Sequence, residues 1–324
     1  MIKLQRDKVL LVDADSKIPN LPLMKLSTYY KGHGYSVDFK KLNLGYYPWR
    51  VNHYHFISSR GYEKAFCSIV FTPSAKYILG DENVEFGGSG YSLKIVLPDE
   101  VEICEPDYTL YPDNDTSYGF LSRGCIRDCY FCIVPKKEGK IHQVSTIDDI
   151  VRHDKVCFLD NNILALSNHK DLLTELIDKR ISCQFSQGLD IRLVDKENSE
   201  LLRRLKYYKR YIFAFDNWKD LPLVEKGLSF LNSWRRPWKF MFYVYVNPNN
   251  TISEIVKRIE YLRNQKIVAY IIRDITCWNS PFVDFYNSIV AWANHPARFI
   301  QVDFETFAKS RGQDNMAALY KENK

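Results

Sequence analysis

Gly124-Cys125-Ile126-Arg127-Asp128-Cys129-Tyr130-Phe131-Cys132 places three cysteines at C-x3-C-x2-C spacing. Soft thiolates at so short a spacing can converge on one metal centre. Three of them leave one iron of a four-iron cubane without a protein ligand, and that iron stays open to a second molecule. A structural zinc site asks for four ligands, and the fourth would have to come from His142 or His153, neither at a paired spacing. Three unligated thiols are the remaining alternative, set against a polar loop marked by Arg127, Pro135, Lys136 and Lys137. The chain's other five cysteines, at 67, 104, 157, 183 and 277, are scattered, which suits buried thiols more than a disulfide framework.

A strand near Tyr118 runs into this loop. Further short apolar strands fall near Val156, Ser182, Tyr211, Lys239 and Ile267, with helical stretches between them. Thr146 caps residues 147–153, Asn168 caps 169–179, Asp195 opens a helix reaching about Lys209, and Thr251 with Glu254 forms a capping box. The alternation recurs about every 28 residues, the mark of a parallel βα array. Six such units predict an open (β/α)6 partial TIM barrel, whose site lies at the C-terminal ends of its strands. A doubly wound sheet is the competing arrangement.

Upstream, residues 8–12 read as a buried strand and 21–30 as a helix closed by Gly32 and Gly34. Residues 35–39 follow as a strand, 65–71 as another apolar run and Gly87-Gly88-Ser89-Gly90 as a turn. This order predicts a small Rossmann-like α/β domain over residues 1–100. Residues 101–117, with Pro106, Pro112, Asp113, Asn114 and Asp115, read as a linker. The barrel then covers 118–299, and 300–324 is a C-terminal tail. The balance of 46% hydrophobic and 26% charged residues is globular, and the net charge of +6 permits a nucleic-acid partner without demanding one. No apolar run reaches the ~20 residues that span a bilayer, and the start of the chain has no signal-peptide pattern. The expectation is a cytoplasmic protein with no membrane partner.

With Phe131 one residue before the third cysteine, the loop resembles the signature of the radical S-adenosylmethionine (SAM) superfamily, C-x3-C-x-aromatic-C. The flanks Ser122-Arg123-Gly124-Cys125 and Cys132-Ile133-Val134-Pro135 are similar to the branch with an N-terminal cobalamin-binding-like domain and to methylthiotransferase-like members. The resemblance covers residues 117–299. It implies a 4Fe-4S cluster on Cys125, Cys129 and Cys132, with the open iron chelating the amino and carboxylate groups of SAM. Reductive cleavage would yield a 5′-deoxyadenosyl radical that abstracts hydrogen from a substrate. Electrons would come from a donor such as flavodoxin or ferredoxin.

The resemblance also implies cofactor contacts. Phe131 sits where the family's loop approaches adenine. Asp160 and Asn161 end the second strand, where many members carry Gly-Gly-Glu, and can accept from an ammonium group. Arg192 could clamp a carboxylate or pair with Asp190 or Asp216, and Gln187 could reach a ribose. Asp216 ends the fourth strand, as a pocket acid or a helix N-cap, and Asn247 ends the fifth. No residue is assigned a catalytic role.

Alternatives from other classes remain: a non-enzymatic iron–sulfur redox protein, a zinc-stabilised nucleic-acid-binding module, and a cobalamin-dependent methyltransferase or methylthiotransferase acting on RNA. The runs Arg203-Arg204-Leu205-Lys206-Tyr207-Tyr208-Lys209-Arg210 and Trp234-Arg235-Arg236-Pro237-Trp238 suit RNA contact or a solvated helix face, the second being favoured for the first run. Cobalamin is not favoured: the D-x-H-x-x-G pattern is absent, and His33 reads as a helix-ending cap. The upstream domain then reads as a remnant. Only Cys67 and Cys104 lie there, too few for a second cluster.

Overall fold

A computed structural model describes residues 7–42, 44 and 54–324. Tyr46, Tyr47, Trp49 and His53, an aromatic stretch whose sequence is irregular and not clearly a second βα unit, lie outside them. The chain divides into two compact units, Met1–Tyr118 and Gly119–Lys324. Among the described residues no helix is long and apolar enough to cross a membrane.

The first unit holds β1 (Lys8–Asp13), β2 (Ser36–Lys41), β3 (His55–Ile57), β4 (Lys64–Ser68), β5 (Ile78–Gly80) and β6 (Val84–Gly87). Four of them form one parallel sheet in the order β2-β1-β4-β6, and β3 pairs with β5. After Lys8 every residue of β1 is buried, as expected of a parallel strand covered on both faces. The helix Leu21–Gly32 starts where Asn20 accepts from the Leu23 N–H at 3.3 Å. His33 closes it, with Nδ1 2.8 Å from the Tyr29 carbonyl oxygen, the capping role expected of it.

Two readings of this unit change. Strand β6 ends at Gly87, inside the stretch read only as a turn, so the sheet has one strand more than its sequence advertises. The turn itself is packed tight: at Gly88 φ is +92°, and a Cβ there would stand 2.3 Å from the Ile69 oxygen. Residues 101–117 are no free linker. Val101 and Leu110 are buried in the core beside Val9, Leu11 and Leu23. Asp107 binds Ser27 Oγ and Lys31 Nζ on the helix, both at 2.6 Å.

The second unit is α/β with parallel sheets. Its strands are β7 (Thr116–Gly119), in which the division between the units falls, β8 (Ser122–Arg123), β9 (His142–Gln143), β10 (Lys155–Phe158), β11 (Ser182–Phe185), β12 (Lys206–Tyr207), β13 (Tyr211–Ala214), β14 (Phe240–Val246) and β15 (Val268–Arg273). One sheet runs β12-β11-β10-β7 and another β13-β14-β15. A parallel bridge from Leu189 to Phe213 carries the order from beyond β11 to β13. Burial alternates strictly along β14: Phe240, Phe242, Val244 and Val246 are buried, while Met241, Tyr243 and Tyr245 are half-buried on the other face.

Capping boxes open three helices of this unit, whereas Asn168, expected to cap the helix His169–Asp178, makes no side-chain cap. Thr146 with Asp149, Asp195 with Asn198 and Thr251 with Glu254 each form a reciprocal box. The first two helices are shorter than expected, Ile147–Ile150 and Lys196–Arg204. The latter stops because Lys206 and Tyr207 pair with Ser182 and Cys183 as β12. Residues 300–324 are part of the core. The helices Phe304–Lys309 and Asp314–Glu322 bury Phe304, Phe307, Ala308, Ala317 and Tyr320, with ring centroids of Phe304 and Tyr320 4.4 Å apart and Phe304 and Trp292 5.3 Å apart. Replacing Phe304 by Ala should therefore cost about 3–5 kcal/mol of stability, measured by urea unfolding. A loss below about 1 kcal/mol would return these residues to the status of a tail.

Candidate metal centre

The three cysteines lie on an excursion between β8 and β9, which pair antiparallel with Ser122 opposite Gln143 and Arg123 opposite His142. Gly124 opens it at φ +80°, where a Cβ would stand 2.3 Å from the Lys140 oxygen, so the two stems close only around glycine. The Glu138 carboxylate then knots the loop, accepting from Arg123 Nη1 at 3.1 Å, the Gly124 N–H at 3.0 Å and Asn161 Nδ2 at 2.7 Å.

Within the loop Cys125, Cys129 and Cys132 are half-buried thiols. The Arg127 N–H points at Cys125 Sγ from 3.3 Å and the Val134 N–H at Cys132 Sγ from 3.5 Å. The Cys132 N–H donates to the Cys129 carbonyl at 2.9 Å, folding the second pair into a turn. Burial pushes the thiols of Cys129 and Cys132 up from their ordinary range, and repulsion from neighbouring cysteines and from Asp216 adds to it. Among the described residues no three His, Cys, Asp or Glu side chains are grouped to hold one ion. A single zinc asks each sulfur to lie ~2.3 Å from one point, whereas a cubane gives each thiolate its own iron and tolerates wider spacing. His142, weighed as a fourth zinc ligand, is exposed with Nδ1 2.9 Å from the Lys140 carbonyl oxygen.

The carboxyl ends of the other strands surround the loop. After β10, Asp160 is fully buried and accepts from Ser122 N–H at 2.5 Å, Ser122 Oγ at 2.7 Å and Leu121 N–H at 3.2 Å. Burial pushes its carboxyl up to about 6 in spite of these donors. Asp160 and Asn161, expected to meet an ammonium group, are thus turned to Ser122, Leu121 and Glu138, holding the loop's stems. Asn162, passed over in the sequence, has its Nδ2 3.7 Å from Cys125 Sγ and 3.5 Å from Asp190 Oδ2.

After β11, Asp190 gathers two guanidinium groups. Arg127 Nε of the cysteine loop donates to Oδ2 at 2.8 Å, and Arg192 donates through Nε to Oδ1 at 2.7 Å and through Nη2 to Oδ2 at 3.2 Å. Burial pushes the Asp190 carboxyl up, but Arg192 and Arg127 outweigh it and leave it below its ordinary range. Arg192, expected as a clamp for a ligand carboxylate, already clamps Asp190 and reaches Asp220 at 3.2 Å. The pairing weighed against the clamp is the one present, with Asp220 in place of Asp216. Gln187 is exposed at the same strand end.

After β13, Asp216 accepts from the Tyr245 N–H at 2.9 Å. Burial raises its carboxyl, and the Tyr245 N–H, Arg258 and Arg192 offset this only in part. The Arg258 guanidinium is fully buried, donating to the carbonyls of Phe215 at 3.0 Å and Tyr245 at 2.9 Å, so it fastens the ends of β13 and β14 together. Phe131 stacks on Tyr245 with centroids 3.8 Å apart and planes 17° apart. Tyr245 in turn donates to Asp274, and Asn247 donates to the Tyr130 hydroxyl. Neither the stack nor the Arg127–Asp190 tie has a local sequence signal, because each joins residues far apart in the chain.

In the basic runs the basic residues Arg203, Arg204, Lys206, Lys209, Arg210, Arg235 and Arg236 are exposed, and the apolar and aromatic members do the packing. Tyr207 and Tyr211 stack at 3.8 Å in the core, Arg203 pairs with Glu200, and Trp234 packs on Phe240, while Trp238 is exposed. No protein-family profile and no curated protein sequence matches the chain.

Because the folded chain holds the Asp160 proton more tightly than the unfolded chain does, stability should fall as pH rises from about 4 to about 6. Asp160→Asn, measured by urea unfolding across that window, should flatten the slope relative to the unaltered protein. Equal slopes would mean that the carboxylate is ionised throughout.

Proposed function

We propose that this chain is a radical SAM enzyme whose cysteine loop holds a 4Fe-4S cluster through Cys125, Cys129 and Cys132. The observation that carries the reading is one loop with three half-buried thiols, N–H groups aimed at two of their sulfurs, and no fourth cysteine beside them. Thiolates on one loop repel one another and gain from a cationic centre, and N–H donors to sulfur are a regular feature of iron–sulfur ligation. The strand order supports an open (β/α)6 partial barrel: β7, β10 and β11 run in sequence, and the Leu189–Phe213 bridge continues to β13, β14 and β15. A doubly wound sheet would reverse direction along that series.

Held by Cys125, Cys129 and Cys132, such a cluster would supply the one electron needed for reductive cleavage of SAM at its S–C5′ bond, with methionine and a 5′-deoxyadenosyl radical as products. The chain's own part is to bind, orient and exclude water. The Phe131–Tyr245 stack gives the loop an aromatic wall. Among the cofactor candidates Gln187 is exposed and Asp216 is half-buried with the Tyr245 N–H as donor, whereas Asp160, Asn161 and Arg192 act by fixing the loop. A pocket of about 450 Å³ adjoins Tyr130, lined by Asn217, Trp218, Asn250 and Arg258, and offers room for a substrate. The substrate's class stays open, nucleic acid included. The first unit is proposed to work without cobalamin, since His33 is engaged in closing its helix.

Anaerobic reconstitution should give about four irons and four sulfides per chain, lost in Cys125→Ala, Cys129→Ala and Cys132→Ala and kept in Cys183→Ala. The reduced protein should release 5′-deoxyadenosine from SAM. An intact cluster that never cleaves SAM under dithionite or flavodoxin would make the chain an electron carrier or sensor, and full iron retention in Cys129→Ala would sink the ligand assignment.

A further inference from the structure

Asn162 directly precedes the short helical turn Ile163–Ala165, a position where an asparagine side chain commonly caps the following N–H groups. It does not cap them. The side chain, 3% exposed, turns instead to two atoms from other segments: Cys125 Sγ at 3.7 Å and Asp190 Oδ2 at 3.5 Å. Its Oδ1 is buried with no hydrogen-bond partner. Flipping the amide would set that oxygen against the Asp190 carboxylate, so the donor end is held on the sulfur side by charge. The other N–H groups aimed at Cys125 and Cys132 belong to the loop's own backbone, at Arg127 and Val134. Asn162 differs in coming from the end of β10, and its second contact ties it to the Arg127–Asp190–Arg192 cluster.

We propose that Asn162 sets the reduction potential of the centre that Cys125 helps to hold, acting as a positioning residue through the Cys125 sulfur. The inference rests on the iron–sulfur reading above. An N–H dipole pointing at a ligand sulfur stabilises negative charge there, and the reduced centre carries one negative charge more than the oxidised one. The contact therefore favours reduction, and its loss makes the centre harder to reduce. Asp190, neutralised by two guanidinium groups, fixes the amide without adding a net negative charge next to the sulfur.

The test is a redox titration, followed by electron paramagnetic resonance, of the full chain reconstituted with iron and sulfide, beside Asn162→Leu and the nearly isosteric Asn162→Asp. Both variants should keep their iron and sulfide content and show a midpoint potential shifted to more negative values. The shift should be larger for Asn162→Asp, which puts an anion where the donor was. An unchanged or more positive potential in a fully loaded variant would overturn the proposal. Loss of the cluster from both variants would also overturn it, giving Asn162 a role in assembly instead. Failure of the unaltered protein to take up a cluster would overturn the iron–sulfur reading and this inference with it, an outcome distinct from a loaded variant with an unmoved potential.

Discussion

A buried carboxylate shared by two arginines anchors the cysteine loop. Asp190 lies at the end of β11, Arg192 two residues on, and Arg127 in the middle of the loop between Cys125 and Cys129. One arginine already balances the carboxylate's charge, so Arg127 is a second, partly exposed donor whose role is to tie the loop to the residues that follow β11. The loop therefore has one favourable seat, over the third strand's end. Loops are otherwise the mobile parts of a fold, and ligands placed on them are held loosely unless a rigid scaffold fixes them.

Two further carboxylates complete the anchorage, each from a different segment. Asp160 binds the stretch that enters the loop, and Glu138 binds Arg123 and Gly124 at its entry and Asn161 after β10. On the far side the Phe131–Tyr245 stack leans the loop against β14, and Tyr245 is steadied by Asp274. Each strand end thus contributes a contact that either holds the loop or faces the space beside it. The polar residues at these ends mostly satisfy one another, which is the cost of keeping charged groups at a half-buried site. The Asn162 oxygen is buried without a partner, and Asp216 is among the groups whose charge raises the thiols of Cys129 and Cys132.

Much of this architecture is legible in the sequence. The six principal strands of the second unit fall where apolar runs predict them, and the capping boxes at Thr146 and Thr251 mark helix starts because their hydrogen bonds are local. What escapes is non-local. The end of the helix opened by Asp195 depends on Lys206 and Tyr207 finding β11, and nothing in the local pattern announces it. Residues 101–117 and 300–324 look expendable until Val101, Leu110, Phe304 and Tyr320 are seen in cores formed by distant segments. At the site the cysteine spacing is plain, but partner choice is not: Arg192 and Asp190 lie two residues apart, while the third member, Arg127, is 63 residues away. The same limit explains Asp160 and Asn161, whose residue types suit a ligand and whose partners turn out to be Ser122, Leu121 and Glu138.

The central claim is that three thiols hold a cluster with one iron left for SAM. Electron paramagnetic resonance of the reduced, reconstituted chain tests it most directly, with SAM labelled with ¹⁵N at the amino group and ¹⁷O at the carboxylate. The account predicts that the cluster signal shifts when SAM is added and that hyperfine coupling to both labels appears. A cluster signal indifferent to saturating SAM, with no coupling to either label, would contradict it.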